Sequence, residues 1–182
     1  MWTNTFLNLS KIAMMGASTA VISSHEFTDV AGETKYMAIA SSSLGYPSNA
    51  AFGTFSNQSN INYSGWHVGS GNTPATINDY TLENRINPVN TLSANVTVTD
   101  TYDSTLLKYN RKVKITIENI SQNTITINEI GLVQGVRGFT SSESSPTQNY
   151  MALFWRHVFD ESIILAPNDI TTIIIDLYAL FS

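Results

Sequence analysis

Three histidines are the first residues to test for metal or acid–base chemistry. His25, His67 and His157 lie far apart, and none sits in an HxH, HxxxH or HExxH arrangement, so a metal centre built on them needs a convergence that spacing does not supply. Asp100-Thr101-Tyr102-Asp103-Ser104 brings two carboxylates together and suits a hard cation. It lacks the glycine and closing glutamate of a dedicated calcium loop, which leaves an Asx-rich turn as the simpler reading. Ser, His and Asp all occur, yet no Gly-x-Ser-x-Gly elbow surrounds a serine, and paired carboxylates for glycoside hydrolysis would have to come from different strands. There is no cysteine, hence no thiolate nucleophile, no thiolate metal site and no disulfide framework. The expectation is a non-enzymatic chain with no catalytic residue, no metal ligand and no cofactor.

Two further features invite a functional reading and are better explained structurally. Gly69-Ser70-Gly71 resembles a phosphate cradle, but Asn72-Thr73-Pro74 follows where a Walker loop needs Lys-Ser or Lys-Thr. The residues instead predict a sharp turn with positive φ at the glycines, then a short helical turn capped by Thr73 with Pro74 at its first position. Tyr46, Phe52, Phe55, Tyr63 and Trp66 could present rings to a sugar from loops; packing beneath those loops is the reading preferred here, because exposed rings are costly.

The elements that would carry these residues are strands. Leu92, Ala94, Val96 and Val98 alternate with polar residues across Asn90 to Asp100, and Val113, Ile115 and Ile117 alternate with Lys112, Lys114, Thr116 and Glu118. In Thr124 to Val133, Ile125 and Ile127 are in one phase and Ile130 and Leu132 in the other, which predicts a bulge near Asn128-Glu129. Ser121-Gln122-Asn123 reads as a hairpin link into that strand. Tyr150 to Phe159 and Ile170 to Tyr178 are apolar on both faces and need cover on both, from a second sheet on one side and a loop, arm or neighbouring subunit on the other. Ala166-Pro167-Asn168-Asp169 is a turn between them. A strand at Gly65 to Val68 precedes the glycine pair. Ser41 to Ser64 and Gly135 to Asn149 read as long surface loops.

These patterns predict an all-β, antiparallel β-sandwich, Ig-like or jelly-roll-like, with an N-terminal arm or short helix over residues 1–30 and the sandwich over 31–182. Composition agrees: 42% of the 182 residues are hydrophobic, enough for one core, and only 13% are charged, which disfavours long solvated helices. The net charge of -5 and the absence of a Lys/Arg run argue against nucleic acid as a partner. Ile12 to Ile22 is broken by Gly16, Ser18 and Thr19, and Lys11 is the first positive side chain, so neither a signal peptide nor a membrane span is expected. With so few charges and an apolar arm, the chain has surface to cover. Trp2, Phe6, Leu7 and Leu9, with the two long loops, are the predicted inter-subunit contacts of a homo-oligomer.

Three ordered stretches resemble a known group. Val68-Gly69-Ser70-Gly71-Asn72-Thr73-Pro74, followed by Asp79-Tyr80-Thr81-Leu82-Glu83, is similar to a motif of small structural proteins of tailed bacteriophages, in which G-[ST]-G-x-T-P precedes D-Y-x-L-E. Ile125-Thr126-Ile127-Asn128-Glu129-Ile130-Gly131-Leu132 resembles the group's "ItIsEiGL" strand. Trp155-Arg156-His157-Val158-Phe159 with Ile164-Leu165-Ala166-Pro167-Asn168-Asp169 resembles its closing "RtvF…itLapGd" hairpin, with Asn168 where glycine is common, and Met1-Trp2-Thr3-Asn4-Thr5-Phe6 resembles the group's opening. The resemblance spans residues 66–178 and marks Gly69, Gly71, Pro74, Asp79, Tyr80, Glu83, Glu129, Gly131 and Arg156 as a structural motif. It implies a virion component made in the host cytoplasm whose partners are other virion proteins: a tail- or neck-associated adaptor or fibre anchor, or alternatively a receptor- or glycan-binding module of the tail or a capsid decoration protein. It brings no catalytic residues.

Overall fold

The computed structural model describes residues 1–3, 26–37, 53–56, 63–105, 108–139 and 148–180. Alternating segments become strands, because only a pleated chain sends every second aliphatic side chain to one face. Eight strands follow in order: β1 (Glu26–Thr28), β2 (Thr34–Met37), β3 (Gly65–Gly69), β4 (Leu92–Asp103), β5 (Lys108–Asn119), β6 (Ile125–Phe139), β7 (Gln148–Leu165) and β8 (Ile170–Leu180). Among the described residues there is no helix. Of the arm or short helix expected over residues 1–30, residues 4–25 lie outside them.

Every pairing between these strands is antiparallel. The first sheet is centred on β6, which pairs with β7, with β3 along Glu129–Val133 and with β2 at Gly138–Phe139, β1 lying beyond β2; the second runs β4-β5-β8. Trp66 and Val68 of β3 and Ile125, Ile127, Ile130 and Leu132 of β6 meet Val113, Ile115 and Ile117 of β5 and Ile173 and Ile175 of β8 in one buried cluster. The chain is therefore all-β, with two antiparallel sheets sharing a core in a manner compatible with a β-sandwich.

The anticipated bulge is present: the β6–β7 register shifts between Ile127 and Glu129, which keeps Ile130 and Leu132 on the core side and turns Glu129 to the opposite face. A second shift, between Leu132 and Val133, had no signal in the sequence. At Asn168 the φ of 68° is the left-handed conformation that asparagine tolerates.

Several expectations change. Ser121-Gln122-Asn123 does not close a hairpin, because β5 pairs with β4 and β8 while β6 pairs with β7; the link crosses from one sheet to the other. The turn at Ala166–Asp169 crosses likewise. Both crossings are tied by Asn119, which is fully buried: its Nδ2 donates to the carbonyls of Asn123 and Leu165 at 2.8 and 2.9 Å, and its Oδ1 accepts from Ser121 N. Asp100 to Asp103 continue β4 instead of turning, and Gly135 to Phe139 continue β6 instead of forming a loop, since cross-strand partners are available in both places.

The apolar outer faces of β7 and β8 are treated differently. On β7, Leu153 is covered by Leu82 from the segment after β3, whereas on β8 Ile170 and Ile174 remain exposed. Residues 1–3 lie along the other edge of β7: Thr3 N donates to Phe154 O at 2.8 Å, Arg156 N donates to Met1 O at 2.9 Å, and Trp2 bridges Trp155. In urea denaturation, Ile115→Ala should lower stability by about 3 kcal/mol through a cavity in the shared core. Ile174→Thr, at 57% exposure, should change it by no more than about 0.5 kcal/mol. Equal costs would mean that the outer face of β8 is already sealed.

Candidate functional site

The motif residues converge on the outer face of the first sheet. Because Glu129 sits at the bulge of β6 and Arg156 is cross-strand from Gly131 on β7, their side chains project away from the aliphatic core and meet each other, with Arg156 Nε donating to Glu129 Oε2 at 2.8 Å. Both are buried. An ion pair at that depth is tolerable only when the remaining donors and acceptors are matched.

The segment Ser70–Asn84 supplies the matches. Its ends are held together by Ser70 N to Asn84 O (2.8 Å) and Asn84 Nδ2 to Ser70 Oγ (2.7 Å), the arrangement of an Ω-loop. Glu129 Oε1 accepts from the backbone N–H groups of Gly71 (3.2 Å) and Asn84 (2.9 Å), and Oε2 accepts from that of Glu83 (3.2 Å). Arg156 reaches into the same loop, donating to Asp79 Oδ2 (2.8 Å) and Thr73 O (3.2 Å), with Glu83 Oε2 at 3.7 Å. Glu83 in turn accepts from Thr73 N and Oγ1, and Asp79 accepts from Thr76 N and Oγ1. The result is a clasp in which one buried carboxylate and one buried guanidinium pin a whole loop to the sheet.

The glycines are there for room, not for φ. Neither Gly69 nor Gly71 has a positive φ, and no helical turn follows at Thr73-Pro74, which corrects both expectations. A Cβ on Gly69 would fall 2.3 Å from Glu129 Oε1, one on Gly71 2.5 Å from the Glu83 Cβ, and one on Gly131 2.8 Å from Leu82 Cδ2. Leu82 therefore drops onto Gly131 and plugs a cluster with Val30, Val133 and Leu153. Tyr80 lies against Gly32, whose φ of +83° belongs to the turn between β1 and β2. Thus Gly69, Gly71, Asp79, Glu83, Glu129, Gly131 and Arg156 come together in the clasp, Tyr80 ties it to the first hairpin, and Pro74 stays on the exposed loop. Trp2 is half-buried beside Trp155; Phe6, Leu7 and Leu9 lie outside the described residues.

His67, which showed no motif in the sequence, belongs to the same face. Arg85 Nε donates to its Nδ1 at 2.8 Å, so the ring proton resides on Nε2 and is donated to Tyr63 O at 2.9 Å. Burial, helped by the Arg85 charge and opposed by the Tyr63 contact, lowers its pKa from 6.5 to about 4. Asp79 and Glu83 are both held below the usual carboxylate range. For Asp79, burial pushes upward and is outweighed by hydrogen bonds from Arg156 and Thr76; for Glu83, the Thr73 backbone and hydroxyl are the main cause. His157 is exposed and stacks on Trp155 at 5.8 Å, while His25 lies outside the described residues. Of the loop aromatics, Phe55 and Trp66 are buried in the core and Tyr63 is exposed; Tyr46 and Phe52 lie outside the described residues.

Chemically, the clasp spends its charged groups on each other. A cavity of about 230 Å³ opens beside it, lined by Asn78, Asp79, Tyr80, Thr81, Glu83 and Arg156. Among the described residues, no three His, Asp or Glu side chains are grouped to hold a metal ion. Sequence reasoning missed Asn84 and Arg85 and gave Thr73, Leu82 and His67 other roles, because their hydrogen bonds and packing are made with residues distant in the chain. No protein-family model matches the sequence, and comparisons with curated proteins and with solved structures returned no match.

Glu129→Ala should lower unfolding free energy by about 3–5 kcal/mol, since it takes from the buried Arg156 one of its three hydrogen-bond partners and strands three amides. Glu83→Ala, on an exposed carboxylate, should cost no more than about 1 kcal/mol; similar losses for the two would refute the clasp. The unfolded chain protonates His67 near pH 6.5 and the folded chain only near 4, so this contribution is full above pH 6.5 and falls away toward pH 4. The total change is about 3 kcal/mol. His67→Gln should therefore flatten the dependence of the urea midpoint between pH 6.5 and 4, and an unchanged slope would show that another group titrates there.

Proposed function

We propose that this chain is a non-enzymatic structural component of a tailed-bacteriophage particle, a tail- or neck-associated adaptor or fibre anchor that works as one copy of a homo-oligomer among other virion proteins. One observation carries the reading. The residues behind the phage-protein resemblance come from three separate stretches, and seven of them share one clasp: Gly71, Asp79, Glu83, Glu129 and Arg156 by hydrogen bonds, Gly69 and Gly131 by leaving room for Glu129 and Leu82. Letters matched by chance have no reason to be in contact, whereas a clasp inherited as a unit does.

The fold suits the role. Two antiparallel sheets with a pinned loop make a stiff body, of the Ig-like or jelly-roll-like kind in this reading, and long segments between strands are where partner contacts concentrate. Exposed Ile164, Ile170 and Ile174 and the outer edge of β8 offer apolar surface for neighbours. Since Trp2 is engaged with its own β7, the arm beyond Thr3, through Phe6, Leu7 and Leu9, is assigned the inter-subunit contacts. The reading needs no cofactor, nucleic acid or membrane.

The test is on particles. Mass spectrometry and imaging of purified virions should find the chain in the tail or neck at a fixed copy number, and light scattering of the purified protein should show an oligomer. Deleting residues 1–12 should reduce incorporation severalfold. A chain absent from purified particles would sink the proposal, and unchanged incorporation of the truncated chain would remove the arm from the interface.

A further inference from the structure

The outer half of the β4–β5 hairpin breaks the rule that governs its inner half. Ala94, Val96 and Val98 of β4 pack against the core cluster, and period-two geometry keeps Asp100 and Tyr102 on that same face. On β5 the face continues from Val113 to Arg111 and Tyr109, with Asp100 opposite Arg111 and Tyr102 opposite Tyr109. The aliphatic stripe thus gives way abruptly to one acid, one base and two tyrosines, of which Asp100 and Tyr102 are exposed and Tyr109 and Arg111 are half-buried. Residues 99–105 are all exposed, and Tyr102, at 59%, is the most exposed aromatic side chain among the described residues.

Three of the four side chains, Asp100, Tyr109 and Arg111, are ordered by one another. Arg111 grips Asp100 bidentately, Nε to Oδ1 at 2.8 Å and its terminal nitrogen to Oδ2 at 2.9 Å. The same nitrogen donates to the Tyr109 hydroxyl at 3.0 Å, and the guanidinium carbon lies 5.9 Å from the Tyr109 ring centre. The pair with Arg111 keeps the Asp100 carboxyl below its usual range, so Asp100 is a fixed acceptor at neutral pH. Beside this set, on the same face and two residues away, lies the open ring of Tyr102.

We propose that the face bearing Asp100, Tyr102, Tyr109 and Arg111 binds a neutral saccharide, with the apolar C–H face of a sugar ring stacked on Tyr102 and its hydroxyls hydrogen-bonded to the Asp100–Arg111 pair. Three features select this occupant. An aromatic ring with a polar rim suits a ligand that is apolar on one side and hydroxylated at its edge. The ion pair is charge-compensated, so it favours neither an anionic nor a cationic ligand, while its charge-assisted donors and acceptors suit vicinal hydroxyls. A protein-covered patch would be depleted of charge at its centre, where this one places an acid and a base. This site stands independently of the assembly role.

The experiment is saturation-transfer NMR on the full chain with three neutral probes, maltohexaose, chitotriose and a galactan oligomer, and one anionic probe, sialyllactose. At least one neutral probe should bind, and Tyr102→Ala should weaken it at least about tenfold, a loss of about 1.4 kcal/mol. Tyr102→Phe should stay within about twofold, and Tyr63→Ala should have no effect. Because Tyr102 is exposed, its replacement should leave the melting temperature unchanged, so weaker binding cannot be ascribed to unfolding. No saturation of any neutral probe at 10 mM overturns the proposal, as does binding of sialyllactose alone or binding indifferent to Tyr102→Ala. A dimer that dissociates on Tyr102→Ala without saccharide binding would assign this face to a second copy instead. A monomeric chain that binds sugar yet is absent from particles would overturn the assembly role and leave this site intact.

Discussion

Glu129 and Arg156 meet at 2.8 Å on the outer side of the first sheet, where Glu129 is fully buried and Arg156 nearly so. Desolvating two ions there is costly, and their mutual attraction offsets the cost only if the remaining lone pairs and protons are also matched. That requirement propagates outward. Glu129 needs three backbone amides, so the chain between Ser70 and Asn84 must fold back over it; Arg156 needs Asp79 and the Thr73 carbonyl, so the middle of the loop must lie close as well. Glycine at 69, 71 and 131 then follows from steric room, and Leu82 is placed over Gly131 as a consequence.

The clasp also explains how the part of β7 around Leu153 to Arg156, apolar on both faces, avoids exposing one of them. β7 gives Trp155 to the shared core and Leu153 and Arg156 to the loop side, while residues 1–3 occupy part of its free edge. Three sequence-distant pieces, the N-terminus, the Ω-loop and β6, therefore depend on one strand. β8 has no such cover within the described residues, and its outward isoleucines give the two sheets unequal surfaces. Surface of this kind is where an assembling chain meets its neighbours, and it lies apart from the ion pair and tyrosines of the β4–β5 hairpin. The proposed assembly and saccharide roles can thus coexist on one body.

Much of the fold was legible because it is local. The alternation in β4 and β5, the bulge beside Glu129 and the left-handed turn at Asn168 each reflect a preference settled within a few residues. The connections were misread because pairing is a choice among distant partners: nothing within Ser121-Gln122-Asn123 distinguishes a hairpin link from a crossing between sheets. The second shift at Leu132 and Val133 was invisible for the same reason, since two apolar neighbours fit either face. At the candidate site, seven of the residues singled out in the sequence lie together, but their physical reasons differ from those first assigned. The glycines read as turn formers are in fact spaces for a carboxylate and a leucine.

By itself, then, the amino-acid order determined the strand class, most strand positions and the side chains that face the core, because period-two patterning and turn chemistry act over short range. The tertiary structure alone decided which strands pair, that Glu129 and Arg156 share a burial site, and that His67 is kept neutral by burial with Arg85 beside it. Those outcomes depend on desolvation and on hydrogen bonds to backbone amides far away in the chain. Such terms have no value until the fold has brought their partners together.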